Sequence, residues 1–356
     1  MSFFKKLKQW FIPDDTYESE DYKREKAELE KLHKKKKQTE EEKQQEQIKK
    51  EFEEHIEQKI DEANETAFQR YEEKKASIKD FTDKKLSLRE WLYTLSPEWQ
   101  EVLLNYGLSD NKTDEELQEI YMDITSISVS DNPKIKDLTP VKELRFLTSI
   151  SFSECSVRDL SPLAELKKLE EIYAYNNPFK DLSPLRELKS LKRLFIGGEN
   201  FKLVDNIEPL ENLIFLEEIS IANTLVKSLK PLSKCVLLKE LDAADTPLQS
   251  LEGLENCTAM KKLYLHRTPI RSIEPLANLS ELQHLSLFYC ENLTDISPLK
   301  NCTQLETLDI SYTKVTDLSP LYELENLHEI IVSAYIPDAI EKFKEKCPLC
   351  KVTILG

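Results

Sequence analysis

The chain has 356 residues and a formal net charge of -16, so we do not expect a nucleic-acid partner, because binding to a phosphate backbone depends on clustered Lys and Arg. It contains only 5 glycines and neither glycine-rich phosphate-binding motif, which argues against a nucleotide cofactor. No stretch reaches the ~18 apolar residues that span a bilayer, and the N-terminus lacks a signal-peptide core, so we expect a cytoplasmic protein.

The first predicted element is an amphipathic helix over residues 1–13, which Pro13 ends. On a wheel at ~100° per residue, one side carries Phe3, Phe4, Leu7, Trp10 and Phe11, and the other side carries lysines. Aromatic side chains opposite lysines are typical of a helix lying on an anionic membrane. We therefore predict that these five residues contact lipid and make the protein a peripheral membrane protein. The alternative is that the helix docks on this chain or on a partner.

A charged arm rich in Lys, Glu and Gln follows over residues 14–84. Between Leu32 and Ile48 there is no apolar residue, so this stretch has nothing to bury and should be a solvated helix or partly disordered. From Ile48 to Tyr71, apolar residues recur at intervals of three or four, but the stripe drifts out of heptad register. This pattern favours a short, irregular coiled coil that allows self-association. A single helix, a spacer and a segment that folds on a partner remain as alternatives.

Three short amphipathic helices are predicted within residues 85–123. Ser96 before Pro97 is a helix-start signal, and Thr113 followed by Glu116 fits a capping box. These helices directly precede the repeats described next, whose first copy would otherwise expose its core and an open strand edge. We therefore interpret residues 85–123 as an N-terminal cap.

Nine copies of a phrase of the type Leu160-Ser161-Pro162-Leu163 occur between Leu138 and Leu321. The period is 22 residues, with two insertions, and each phrase is followed by the pattern Leu-x-x-Leu-x-Leu. A unit this short cannot bury its own apolar side, so the copies must stack around one shared core as a solenoid. We predict ten parallel strands within residues 124–334, with Ser161 capping a short helix and Pro162 at its first position.

Two further positions in the repeat carry structural predictions. Cys235, Cys257 and Cys302 share one place just before a helical leucine, which indicates small packed thiols and a reducing compartment. At the ninth position of the strand pattern the chain has Asn177 once, and Thr in four other repeats, and we expect these Thr side chains to form a ladder that replaces Asn.

The remaining residues, 335–356, are predicted to form a C-terminal cap of one helix and a last strand. Cys347 and Cys350 look like half a zinc site, but a zinc site needs a second pair of ligands at suitable spacing. None is evident in the sequence, so we expect no metal.

The repeats resemble leucine-rich repeats, in the internalin-like variant of bacterial proteins, over residues 124–355. The resemblance implies an α/β leucine-rich repeat solenoid with a parallel sheet on its concave face, here preceded by the charged helical arm. It also implies helical caps of the kind inferred above.

The outward-facing strand positions supply the candidate site. The 22-residue step aligns them in rows along the concave face, and two aromatic clusters emerge with an acidic strip between them. The first cluster is Tyr173, Tyr175 and Phe195 beside Arg193, and the second is Tyr264, His266 and Phe288, flanked by Arg267, Tyr289 and Tyr312. The predicted partner-binding residues are Tyr173, Tyr175, Arg193, Phe195, Glu218, Glu240, Asp242, Tyr264, His266 and Phe288. Exposed aromatics and Arg are typical of interaction hot spots, although such aromatics also stabilise the sheet itself.

The sequence gives little support for catalysis. Of the five histidines, only His266 and His284 should face the concave surface, and no Cys or Ser stands beside either as a nucleophile. We therefore predict a non-enzymatic scaffold that binds a protein or peptide on its concave face. The alternative is a regulatory subunit or effector that controls a separate enzyme such as a phosphatase, a role that the resemblance keeps open.

Overall fold

The computed structural model of the chain describes residues 86–356. The predictions for the amphipathic helix at 1–13 and the charged arm at 14–84 lie outside these residues. Three helices come first: α1 (Leu88–Thr94), α2 (Pro97–Asn105) and α3 (Asp114–Asp123). The predicted capping box forms, since Thr113 Oγ1 accepts the Glu116 N–H while Glu116 accepts the Thr113 N–H.

These helices pack directly on the first repeat. Trp99 and Leu103 of α2 are buried, and Trp99 Nε1 donates to the carbonyl oxygen of Asp137 at 2.9 Å. The hydroxyl of Tyr106 accepts the backbone N–H of Ser128 at 2.8 Å, so the cap occupies a donor at the open edge of the first strand. Covering that edge is what the position of these helices in the sequence predicts.

The repeats form one parallel sheet of 11 strands, in which spatial order follows chain order. Its strands are β1 (Ser126–Ser128), β2 (Ser149–Ser151), β3 (Glu171–Tyr173), β4 (Arg193–Phe195), β5 (Glu218–Ser220), β6 (Glu240–Asp242), β7 (Lys262–Tyr264), β8 (His284–Ser286), β9 (Thr307–Asp309), β10 (Glu329–Ser333) and β11 (Lys351–Leu355). The middle residue of each of β1 to β9 is buried, because successive side chains of a strand point to opposite sides. The predicted ten strands and the last strand of the C-terminal cap are therefore present.

The aliphatic residues of all repeats share one continuous core, which includes fully buried Leu263 and Leu285. Cys235, Cys257 and Cys302 lie inside it as free thiols, as predicted, and burial raises the pKa of Cys257 to about 12. Within residues 86–356, no group of three or more metal-binding side chains is present, and no helix is long and apolar enough to cross a bilayer.

Eight of the nine phrases of the Ser-Pro-Leu type form short 3-10 turns opposite the sheet, but their caps differ from the prediction. The turns span Thr139–Glu143, Ser161–Leu163, Ser183–Leu185, Glu208–Leu210, Lys230–Leu232, Glu274–Leu276, Ser297–Asn301 and Ser319–Leu321. Ser161 does not cap its turn through its side chain. Instead Asp159 accepts both the N–H and the hydroxyl of Ser161, at 2.8 and 2.7 Å. The sequence signal was an Asp two residues before the Ser, the spacing of an Asx turn.

The predicted Thr ladder is also only partly right. Asn177 does bridge neighbouring repeats, because its Nδ2 donates to the carbonyl oxygen of Phe152 at 2.8 Å and its Oδ1 accepts the Val157 N–H at 3.0 Å. The Thr hydroxyls donate instead to carbonyl oxygens three residues earlier in their own repeat, as Thr246 does to Ala243 at 2.6 Å. A Thr side chain is shorter than Asn and has one hydroxyl donor where Asn has two N–H donors.

The chain ends with helix α4 (Pro337–Lys346) and strand β11, which pairs in parallel with β10. Ile340 and Phe343 of α4 are buried, as the predicted C-terminal cap requires. The Cys347 Sγ lies 3.7 Å from the carbonyl oxygen of Tyr322, and the Cys350 N–H donates to the Cys347 carbonyl oxygen at 3.1 Å.

Candidate functional site

The exposed side of the sheet, here called the sheet face, carries all ten predicted partner-binding residues. Each of them is half-buried, with its side chain directed away from the core. The strand register places Glu171, Arg193, Glu218 and Glu240 side by side in one row, and Tyr173, Phe195, Ser220 and Asp242 in the next. The predicted rows are therefore present, whereas their role in binding stays a prediction.

The first aromatic cluster forms in part at β3 and β4, since Tyr175 makes no ring contact with Tyr173 or Phe195 among the described residues. The rings of Tyr173 and Phe195 are stacked, with centroids 5.1 Å apart and planes 6° from parallel. Arg193 pairs with Glu171, whose carboxylate also accepts the Tyr173 hydroxyl at 3.3 Å. Partial burial raises the pKa of both Tyr173 and Tyr175. This cluster is a rigid apolar wall, because stacking and the ion pair fix its side chains.

The acidic strip beside this wall is divided into paired and unpaired carboxylates. Glu240 binds Lys262 at 3.0 Å, and that hydrogen bond raises the pKa of the Lys262 ammonium group. Within the part of the chain that the structure describes, Glu218 has no ion pair. Asp242 accepts the Ala244 N–H at 3.1 Å and lies 3.4 Å from Ser220 Oγ, and burial raises its pKa. Glu218 and Asp242 are thus the carboxylates of the strip that lack a cationic partner at contact distance.

Small side chains line the sheet face around Asp242. Ser220, Ala222 and Ala244 are only 7%, 6% and 2% exposed, and all lie between the first cluster and Tyr264. In the third row of aligned positions, the residues are Tyr175, Gly197, Ala222, Ala244 and His266. Because Ser220, Ala222 and Ala244 have shorter side chains than the aromatic residues on either side, we infer that the face is lower in the middle. We define the central depression as Ser220, Ala222, Asp242 and Ala244. The sequence feature that indicates this depression is the change in side-chain size along the aligned rows.

The second aromatic cluster differs from the prediction. Phe288 contacts Tyr289 and Tyr312, with centroid distances of 5.7 and 5.6 Å, while Tyr264 makes no ring contact with them among the described residues. His266 lies instead beside Asp245, with Nε2 3.8 Å from the carboxylate. Tyr264 therefore forms the far wall of the central depression, and the Phe288 cluster lies further along the sheet, where the strands end.

An imidazole–hydroxyl pair also lies on the sheet face, between His284 and Thr307. Their Nδ1 and Oγ1 atoms are 2.8 Å apart on adjacent strands. A nucleophilic site needs in addition a group that orients the imidazole and donors for a developing oxyanion. We assign the pair to cross-strand stabilisation of the sheet.

Comparison with known proteins agrees with the repeat geometry. Two copies of the family model described as leucine rich repeats match residues 236–278 and 280–323. The chain carries leucine-rich repeats. The predicted α/β leucine-rich repeat solenoid is confirmed, and stacked repeats of this kind present an extended concave surface. A search of curated proteins gives no match.

Two solved structures with a TM-score of 0.52 show the same fold at low sequence identity. Internalin C2 of Listeria monocytogenes is 20% identical, with a TM-score of 0.52, over 66% of this chain and 92% of that chain. The ectodomain of the receptor kinase GASSHO1/SCHENGEN3 of Arabidopsis thaliana, in complex with CASPARIAN STRIP INTEGRITY FACTOR 2, is 17% identical. Its TM-score is 0.52, over 62% of this chain and 28% of that chain. The internalin inlF of Listeria monocytogenes is 20% identical, with a TM-score of 0.48, over 73% of this chain and 90% of that chain.

Proposed function

We propose that this leucine-rich repeat scaffold binds a protein or peptide on its sheet face, and that a basic side chain of the partner enters the central depression. The observation that carries the proposal is the position of Glu218 and Asp242. Both carboxylates lack a cation at contact distance, and they lie between the stacked Tyr173 and Phe195 on one side and Tyr264 on the other.

Electrostatics favours a cationic group at this place. Burial already raises the pKa of Asp242, so its ionised form is poorly solvated and gains more from a partner's ammonium or guanidinium group than an exposed carboxylate would. The aromatic walls exclude water around such a contact and can also hold the aliphatic stem of Lys or Arg. The acidic net charge of the chain steers basic partners towards it.

Rigidity favours binding as well. The wall residues stand on short strands of an 11-stranded sheet, so little conformational entropy is lost when a partner contacts them. The Arg193–Glu171 pair adds a fixed polar rim beside the rings. This combination of half-buried aromatic side chains and a polar rim is typical of protein interfaces.

The test truncates an aromatic side chain on one side of the central depression and introduces a negative charge on the other side. The full chain with Tyr173→Ala and Tyr264→Glu should lose the partner that the wild-type chain captures from its native lysate, with an almost unchanged melting temperature. Tyr93→Ala is the matched control, because Tyr93 is an exposed aromatic residue of α1 outside the sheet face. Equal capture by wild type and double variant would remove the sheet face as the binding site.

The identity of the captured protein separates a passive scaffold from a regulator. If the partner is an enzyme such as a phosphatase, its activity is measured with wild-type chain and with the double variant. A change in activity that only the wild type produces would make the chain a regulatory subunit or effector, whereas unchanged activity supports the scaffold.

For the N-terminal region, which lies outside the described residues, we propose attachment of a cytoplasmic protein to a membrane surface. The proposal rests on Phe3, Phe4, Leu7, Trp10 and Phe11 facing away from the lysines in the sequence pattern. The full chain should float with anionic liposomes, and a chain lacking residues 1–13 should not. Equal flotation would contradict attachment through this segment.

Self-association through the arm is a separate proposal. Sedimentation of the full chain and of a chain lacking residues 14–84 tests it. A dimer that the full chain forms and the shortened chain does not form would assign the association to the arm.

A further inference from the structure

A row of backbone positions with positive φ follows the strands, one in each of eight repeats. It comprises Asp131, Glu154, Asn176, Asn223, Asp245, Arg267, Tyr289 and Tyr312, with φ between 55° and 60°. This left-handed conformation is tolerated by Asn and Asp but disfavoured for bulky side chains. The first five members are acidic residues or Asn, whereas the last three are Arg, Tyr and Tyr. Because Asn223 makes the same turn with φ 59°, the fold itself does not require bulky residues there.

The bulky members of the row meet in one patch together with Phe288, which is not in the row, and we call this patch the aromatic edge: Arg267, Phe288, Tyr289 and Tyr312. The three rings contact one another at centroid distances of 5.5 to 5.7 Å, and the Arg267 guanidinium lies 5.8 Å from the centre of the Phe288 ring. Tyr289 is 44% exposed. Strained backbone that holds aromatic rings in solvent is a reason to look for a function rather than for fold stability.

Charged groups of both signs lie around the aromatic edge. A shallow depression of about 340 Å³ beside Tyr289 is lined by one cation, Arg267, and one anion, Glu291, together with uncharged residues. Arg267 also lies 3.8 Å from Asp245. Arg267 would repel a cationic ligand, and Glu291 would repel an anionic ligand. A neutral ligand meets no like charge here and therefore fits this charge pattern best.

We propose that the aromatic edge binds a neutral, proline-rich segment of a partner protein in the polyproline II conformation. Pyrrolidine rings pack against aromatic side chains, and such a segment loses little entropy on binding because it is already extended. It has no internal hydrogen bonds, so its carbonyl oxygens are free to accept from the Arg267 guanidinium and the Tyr289 hydroxyl. This site differs from the central depression, which would take a basic side chain, and it does not depend on the function proposed there.

The experiment measures fluorescence anisotropy of a labelled decaproline peptide titrated with the full-length chain. Labelled decapeptides of Gly-Ser, lysine and glutamate are titrated in parallel. We expect saturable binding of decaproline and no binding of the Gly-Ser peptide. The proposal is overturned if decaproline does not bind. It is also overturned if a charged peptide binds instead of decaproline and that binding is lost in the variant described next.

The matched variant is Tyr289→Asn, because Asn occupies the same backbone position at Asn176 and Asn223. It should weaken decaproline binding at least tenfold while the melting temperature stays equal or rises, since Asn tolerates this φ better than Tyr. Asp131→Asn, in the same row but in the first repeat, should leave binding unchanged. Unchanged binding by Tyr289→Asn overturns the proposal. If Tyr289→Asn also has a lower melting temperature than wild type, Arg267→Asn serves as the second variant. Decaproline binding that Arg267→Asn leaves unchanged also overturns the proposal.

Discussion

The backbone of Gly197 runs against the carbonyl oxygen of Ala222 on the neighbouring repeat, so that a Cβ atom at Gly197 would lie 2.2 Å from that oxygen. Gly197 is buried beside the central depression, and Ala222 forms part of its floor. The close approach explains a glycine at this place in the longest repeat.

We expect Gly197→Ala to push the two repeats apart, because a backbone oxygen cannot turn away as a side chain can. The free energy of unfolding should fall by about 1–3 kcal/mol, the usual effect of overpacking. Urea unfolding followed by circular dichroism measures it. Gly356→Ala, where a Cβ meets nothing within 4 Å, is the control and should leave the midpoint unchanged. A Gly197→Ala midpoint equal to wild type would contradict the packing argument.

The second prediction concerns the Asp that caps five of the eight 3-10 turns, with Asp159 as the example. The hydrogen bonds from Ser161 hold the pKa of Asp159 below its usual range. A carboxylate with a lowered folded-state pKa stabilises the fold above about pH 4, and this contribution is lost as the pH falls through the folded pKa. Asp159→Ala should therefore lower the stability by about 1 kcal/mol at pH 7, and the difference from wild type should narrow towards pH 3.

Asp159→Asn is the matched control, because the chain uses Asn at the equivalent place, where Asn206 Oδ1 accepts the Glu208 N–H at 2.8 Å. This variant should keep more of the stability than Asp159→Ala and should not share the pH dependence of wild type. The measurement is the urea unfolding midpoint of wild type and of both variants at pH 7 and at pH 3. A difference between wild type and Asp159→Ala that is the same at both pH values would show that the carboxylate's charge does not matter.

The sequence allowed the solenoid, the strand register and the outward-facing rows to be predicted, because these depend only on the spacing of the leucines. It was less informative where short polar side chains choose between nearby partners. Asp159 and Ser161 can both cap a turn, and their geometry decides which does. The sequence placed Tyr289 and Tyr312 beside Phe288 but grouped them with Tyr264 and His266. Strand alternation does not reveal how positive φ at Tyr289 and Tyr312 redirects their side chains.

The third prediction compares Asn177 with the Thr residues that take its place. Asn177→Ala would leave the Phe152 carbonyl oxygen and the Val157 N–H in the interior without this partner. We expect the free energy of unfolding to fall by about 2–5 kcal/mol, since each buried polar group left unsatisfied costs roughly 1–3 kcal/mol. Thr246→Val removes one hydrogen bond within a single repeat and should lower it by about 1 kcal/mol. Equal losses in urea unfolding would show that the bridge between repeats adds nothing.

The last prediction links stability and binding at Asp242. Because burial raises its folded-state pKa, the ionised carboxylate opposes folding above that pKa, and the effect disappears at acidic pH where the group is protonated in both states. Asp242→Asn should therefore melt at an equal or higher temperature than wild type at pH 7, with the gap closing towards pH 4.

The same variant should weaken capture of a basic partner, since Asn offers no charge to the ligand. Glu240→Gln is the control, because Glu240 is already paired with Lys262 and its loss removes an ion pair that is worth at most about 1 kcal/mol. It should give no gain in melting temperature. A lower melting temperature for Asp242→Asn would mean that the carboxylate serves the fold, whereas higher stability with weaker binding is what a carboxylate retained for a cationic ligand predicts.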